Sequence, residues 1–405
     1  MLVSRRSLVK SVALGSLLAA SPAGMKLSFA APSSSNLLLF VLLRGGMDGL
    51  NLVAPSDDAD LFAARPAALR LAASGTGAAL PLANGPSSND WRLHPKATQL
   101  KTLYDAGQLA FIHAAGIPAS SRSHFQMQAF AEHGVVDQIS LNNANGWMAR
   151  YGLATGLGTQ NFALLSADPT LPPSMSGAAM AISMPTPSQF TIGSAARTSF
   201  LQAAYAGTTG TIGTQGRVAL NAVGAFKTLS AGFKPPASGT YGTDSFSTAL
   251  SVVAEVTKLN AGLQLAEVEF NNWDTHVNQQ GRFASSVATL SAGLGSFMAD
   301  IGSSGHKVTA IVMSEFGRRV KSNASGGTDH GHGNVMMVLG SGVKGGRIYG
   351  QWKGLNPSVL DLGDVPVTTD YRSVLSEVIS AVRGDLPSGL FAGFTPTPAL
   401  GLISA

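Results

Sequence analysis

Four stretches of this chain are apolar at nearly every position, and each stops at a glycine-containing turn. They are 37–43 before Arg44-Gly45-Gly46, 109–115 before Gly116-Ile117-Pro118, 308–313 before Ser314-Glu315-Phe316-Gly317, and 335–339 before Gly340-Ser341-Gly342. A strand that is apolar on both sides must be covered on both sides, which is the condition of a mainly parallel sheet. Stretches near 96–105, 123–132, 286–301 and 371–382 repeat apolar residues three and four apart and predict the covering helices. The expected fold class is therefore α/β, with helices on both faces of the sheet. In that architecture a site belongs just past the carboxyl ends of the strands.

Composition narrows the chemistry. The 405 residues contain no cysteine, which excludes disulfides, thiolate metal ligands and cysteine nucleophiles. Charged residues make up 12% of the chain, about half the ordinary share, so each carboxylate and imidazole near a strand end stands out. The formal charge of +5 owes much to Arg5, Arg6, Lys10 and Lys26, without which 23 basic residues face 22 acidic ones. No basic field for nucleic acid remains.

Those four basic residues sit in residues 1–30, where a basic start, an apolar stretch around 12–20 and Ser28-Phe29-Ala30 read as a signal peptide. Ser4-Arg5-Arg6-Ser7-Leu8-Val9-Lys10 resembles a twin-arginine signal, implying passage of a folded chain through the twin-arginine export machinery to the periplasm or beyond. Past it no apolar run reaches the roughly 20 residues that span a bilayer, so no stable transmembrane anchor is expected. Residues 31–405 read as one domain, with a Gly/Thr/Ser-rich insertion, cap or mobile element near 203–245.

Several polar groups follow the apolar runs. Asp48 lies in Arg44-Gly45-Gly46-Met47-Asp48-Gly49, as an ion ligand or a turn aspartate. Ser121-Arg122-Ser123-His124 follows the second run. Ser123 or Ser121 could be a nucleophile or a helix cap, Arg122 an oxyanion clamp, and His124 a base or ligand. In extended backbone Asp274 shares a face with His276, and His330 shares one with His332. Glu315 ends an apolar strand and needs a cation or donors, which Arg318 and Arg319 could supply. Carboxylates mixed with imidazoles suit zinc, manganese or iron better than calcium. His94 and His113 are weaker candidates. Gly45-Gly46-Met47-Asp48-Gly49 lacks the GxGxxG spacing of a dinucleotide-binding turn, and no P-loop, G-x-S-x-G or H-E-x-x-H motif is present.

Arg44-Gly45-Gly46-Met47-Asp48-Gly49-Leu50-Asn51, Leu93-His94-Pro95, Ser121-Arg122-Ser123-His124-Phe125, Trp273-Asp274-Thr275-His276, Ser314-Glu315-Phe316-Gly317-Arg318-Arg319 and Gly327-Thr328-Asp329-His330-Gly331-His332-Gly333 together resemble the signatures of the DUF1501 family. That family resembles the alkaline-phosphatase and sulfatase superfamily, which implies an alkaline-phosphatase-like fold with one or two divalent metal ions at strand ends. By that resemblance Asp48 and Ser123, or Ser121, share one metal, and Asp274 with His276 serves the other. Glu315 stands at a strand-terminal ligand pair, and His332 or His330 is the final ligand. Phe316 departs from the pattern because a phenyl ring cannot ligate a metal, and Asp274-Thr275-His276 is tighter than the usual spacing.

The resemblance implies a hydrolase of phosphate or sulfate esters, on a small-molecule or glycan substrate, with zinc or manganese first and iron or calcium left open. The alternative is a noncatalytic exported binding or scaffold protein that keeps the fold.

Overall fold

The computed structural model describes residues 36–142, 144–157, 162–231, 236–237, 239–384 and 386–404; the signal-peptide reading of 1–30 lies outside them. Fourteen strands occur among the described residues. In chain order they are β1 (Leu37–Leu43), β2 (Val53–Pro55), β3 (Leu80–Pro81), β4 (Trp91–Leu93), β5 (Leu109–Gly116), β6 (Leu164–Ser166), β7 (Ile182–Ser183), β8 (Leu265–Phe270), β9 (Val308–Ser314), β10 (Arg318–Ser322), β11 (Thr328–His330), β12 (Asn334–Gly340), β13 (Arg347–Tyr349) and β14 (Thr369–Asp370). Nine of them form one sheet in the order β13-β5-β12-β9-β1-β8-β6-β7, with β14 also on β5.

β1 pairs parallel with both β8 and β9, at the centre. Its residues alternate between two cores. Leu37, Leu39, Val41 and Leu43 face one, and Leu38, Phe40 and Leu42 the other. The helices Thr98–Asp105, Ser245–Lys258 and Gln279–Ser303 cover the first face, and His124–His133, Trp147–Thr155 and Tyr371–Arg383 the second. The mainly parallel α/β sheet with helices on both faces is therefore what the apolar runs predicted.

β12 is the exception in direction, running antiparallel to both β5 and β9. Its amino end, Asn334, lies beside Ala115 at the carboxyl end of β5. Residues just before β12 are thereby delivered to the edge where β1, β8 and β9 end. This reversal brings His330 to groups that follow β8.

The 203–245 stretch contains regular structure that its weak periodicity did not announce. Helices Ala195–Ala206 and Gly210–Leu229 occupy much of it, and Phe226 packs on Phe162 and Phe190 at 5.9 and 5.5 Å. No helix among the described residues is long and apolar enough to cross a membrane.

His94 and His113 are buried side chains of the core. His113 packs on Trp352 and Trp91, and His94 on Phe283. Nδ1 of His113 accepts from the Ala114 amide while Nε2 faces the Val53 carbonyl, which fits the neutral ring. Burial lowers both residues from 6.5 to about 4, with Lys96 adding to the effect on His94. A depressed histidine contributes stability above its unfolded value that is lost as pH falls through 6.5 towards 4, on the order of 3 kcal/mol apiece. Ring resonances of His94 and His113 in selectively labelled protein are expected to titrate only near pH 4. Titration of either near 6.5 would contradict this environment.

Candidate metal centre

The centre is built where three loops meet at the carboxyl edge of the sheet. After β1, Gly45 and Gly46 adopt φ of +120° and +63°. A Cβ on Gly45 would lie 2.5 Å from the Asp274 backbone nitrogen, and one on Gly46 2.5 Å from the Phe316 ring. The two glycines thus let the first loop press against the loops that carry the site. Gly45→Ala combines a backbone clash with a conformation that L-residues avoid. It is expected to cost on the order of 2 kcal/mol or more and to displace Asp274. Thermal unfolding checks the first effect and transition-metal affinity the second.

His124, Asp274 and His330 each present a ligand atom within 4.8 Å of the others. His276 joins them, its Nε2 lying 2.9 Å from Nε2 of His330 and 3.3 Å from Oδ1 of Asp274. His124 Nε2 is 3.6 Å from Oδ2 of Asp274 and, though buried, has no hydrogen-bond partner.

The far side of each imidazole fixes what its near side can do. Nδ1 of His124 contacts Glu315 Oε1 at 2.7 Å, Nδ1 of His276 contacts Asp329 Oδ1 at 2.8 Å, and Nδ1 of His330 contacts the Arg122 carbonyl at 2.7 Å. Those oxygens are acceptors, so each Nδ1 carries a proton and Nε2 is the nitrogen left to face the centre. Two Nε2 atoms 2.9 Å apart, a third with no hydrogen-bond partner and a carboxylate oxygen meet there, and a metal ion or a proton shared between the rings would satisfy them. This is the outer-shell arrangement that orients metal-binding histidines. Burial also lowers the pKa of His330, against the hydrogen bond to the Arg122 carbonyl, which favours the neutral ligand form.

Burial opposes ionisation of Asp274, but the hydrogen bond and charge of Arg318 hold it below the usual carboxylate range. Arg318 is itself buried. It donates to Asp274 Oδ1 at 2.7 Å and to the carbonyls of Gly46, Gly45, Thr328 and Trp273. Phe316 stacks at 4.8 Å on both His124 and His330, so the residue that cannot ligate braces two that can.

Other sequence expectations are redistributed. Asp48 is sealed by Arg65, which holds both its oxygens at 2.7 and 3.1 Å, and by Gln279 Nε2 at 2.6 Å. Its donors are a cation and an amide, and it lies outside the group of ligand atoms that meet at the centre. Glu315 is likewise one step back. Its oxygens accept from the Gly45 amide, His124, Gln128 and Ser314, so the donors foreseen as Arg318 and Arg319 are replaced. These bonds outweigh burial and hold its pKa low.

His332 parts from His330 because the chain leaves β11 at Gly331, whose amide donates to Gly317. The His332 ring contacts Asp361 at 2.5 Å and the Ile117 carbonyl at 3.2 Å. The Arg122 guanidinium pairs with Asp364 at 2.8 Å, and its carbonyl faces Nδ1 of His330. Ser123 is exposed, makes no side-chain cap to the helix His124–His133, and stands between Arg122 and His124. Ser121 Oγ accepts the Ser123 amide. Gln128 and Asp329, which orient Glu315 and His276, were not singled out from sequence; the Asp329-His330 adjacency was the available signal for the second.

Among solved structures, "Crystal structure of Ps i-CgsB" is similar at TM-score 0.40 and 10% identity, covering 89% of this chain and 75% of that one. A TAB5 alkaline phosphatase mutant with Mg bound in its M3 site gives 0.35 and 10%, covering 78% and 94%. The lipoteichoic acid synthase LtaP from Listeria monocytogenes gives 0.30 and 9%, covering 85% and 78%. At such scores these likenesses carry nothing about activity or ligands. No curated protein matches the sequence. The model of the DUF1501 family, described as a protein of unknown function, matches residues 112–369, a span holding His124, Asp274, His276 and His330, and the chain belongs to that family.

Proposed function

We propose that this protein is an exported metal-dependent hydrolase of phosphate or sulfate esters, carbohydrate-linked esters among them, with its metal held by His124, Asp274, His276 and His330. The observation that carries the reading is the convergence of three imidazole Nε2 atoms, each with its Nδ1 anchored, on one carboxylate. Three nitrogens and one oxygen suit zinc first and manganese next. When bound, such an ion polarises an ester oxygen and lowers the pKa of a nearby hydroxyl or water.

The chain's own residues supply the rest. Arg318 holds Asp274 ionised and fixed, and Glu315 and Asp329 keep two imidazoles in the ligand tautomer. Ser123 offers an exposed hydroxyl at the amino end of a ten-residue helix, where unpaired amides favour developing negative charge. The twin-arginine-like segment supports export to the periplasm or beyond, after the metal is loaded.

The test is the metal content of natively exported protein by mass spectrometry, followed by turnover of p-nitrophenyl phosphate and sulfate. One transition-metal ion per chain, with turnover lost in a folded Ser123→Ala variant, supports the proposal. Negligible metal in folded protein after zinc or manganese reconstitution overturns it. Metal without turnover of any ester favours the noncatalytic binding reading.

A further inference from the structure

On the second face of the sheet, β8 sends two glutamates into a core that is otherwise apolar. Glu267 and Glu269 meet Glu132 from the helix His124–His133, each offering an oxygen within 4.8 Å of the others. Asp168 lies at the rim, its Oδ2 accepting the Glu269 amide at 3.2 Å. The cation in contact with this group is Arg44, which bridges Oε1 of Glu132 and Oε1 of Glu269. Among the described residues that guanidinium touches two of the four carboxylates.

Glu267 is the telling member. It is fully buried, its Oε2 takes the Ser174 hydroxyl, and its Oε1 has no hydrogen-bond partner. An unpaired buried carboxylate oxygen costs far more than its neighbours' packing returns unless it meets a cation or takes up a proton.

We propose that Glu132, Glu267 and Glu269, with Asp168 beside them, form a second cation site, separate from the histidine centre and suited to a hard divalent ion such as calcium or magnesium. All its donors are oxygen, the chemistry such ions take. Burial pushes Glu132 up to about 7 despite Arg44, and Glu267 well above the ordinary carboxylate range. Burial followed by repulsion from Glu269 raises Asp168 to about 7. A divalent ion would offset that cost by neutralising the clustered charge. The site also touches the first centre through one amide. Arg44 donates to Gln128 Oε1, and Gln128 Nε2 donates to Glu315 Oε1, which holds His124. An ion that takes the Glu132 and Glu269 oxygens competes with Arg44 for them and so bears on that chain.

The experiment is calorimetric titration of chelator-treated, zinc-reloaded protein with calcium chloride and with magnesium chloride. One ion per chain is expected in the wild type and in His330→Ala, with affinity at least tenfold weaker in Glu267→Gln and in Glu269→Gln, each checked for folding by near-ultraviolet circular dichroism. Absence of binding to folded wild type up to on the order of 10 mM would overturn the site and leave protons as its counter-charge. Affinity unchanged in every Gln variant that folds, or lost together with the histidine centre in His330→Ala, would overturn it equally.

Discussion

Replacing His330 with alanine is expected to lower transition-metal affinity by roughly 100-fold or more, because an outer-shell change alone is worth 10- to 100-fold and this removes a donor. His330 is partly exposed and its Nδ1 bond goes to a loop carbonyl, so the fold should survive the truncation. Its loss also leaves His276 Nε2 without the neighbour 2.9 Å away. Glu315→Gln probes the same centre from behind. It removes the charge facing His124 Nδ1 but keeps an oxygen there, and a loss of 10- to 100-fold is expected. Competition with a chromophoric chelator measures both. Wild-type affinity in a folded His330→Ala protein would show that the four side chains do not hold the ion.

The parts of the fold that are legible in sequence are those where one physical demand acts alone. β1, β9 and β12 lie in apolar surroundings on both faces, so their runs read as buried strands. β8 is just as central but reads as mixed, because Glu267 and Glu269 interrupt it, and their company of Arg44 and Glu132 comes from distant segments. Helix Gly210–Leu229 is obscured by four glycines, each costly in a helix, and is sustained by packing through Ala222 and Phe226. Tertiary contacts overrode local preference in both.

The candidate centre follows the same logic. Asp274, His276 and His330 were visible because two-residue spacings in extended backbone put each on a face with a second candidate ligand, and His124 because it follows the second apolar run. Spacing cannot reveal competition. It gave no sign that Arg65 would claim Asp48, that Asp361 would hold His332, or that Glu315 would stand behind His124. It also could not show that β12 runs backwards, the reversal that brings His330 to Asp274.

Asp48→Ala separates the two readings of that aspartate most sharply. The side chains of Asp48 and Arg65 are both fully buried, joined by two hydrogen bonds. Asp48 also accepts from Gln279 and caps the turn at Asn51, while Arg65 reaches the Val320 and Arg319 carbonyls. Removing the aspartate strands a guanidinium that keeps two carbonyl partners and loses its counter-charge. Breaking such a pair costs about 3 to 5 kcal/mol, a large share of a stability of about 5 to 15 kcal/mol. Adding Arg65→Met removes the stranded charge, and the double variant is expected to regain most of that loss because buried pairs often exchange for apolar groups at little net cost. Chemical denaturation measures both steps. If Asp48→Ala instead leaves stability within about 1 kcal/mol of wild type while abolishing zinc binding, the ion-ligand role holds and the pairing with Arg65 is incidental.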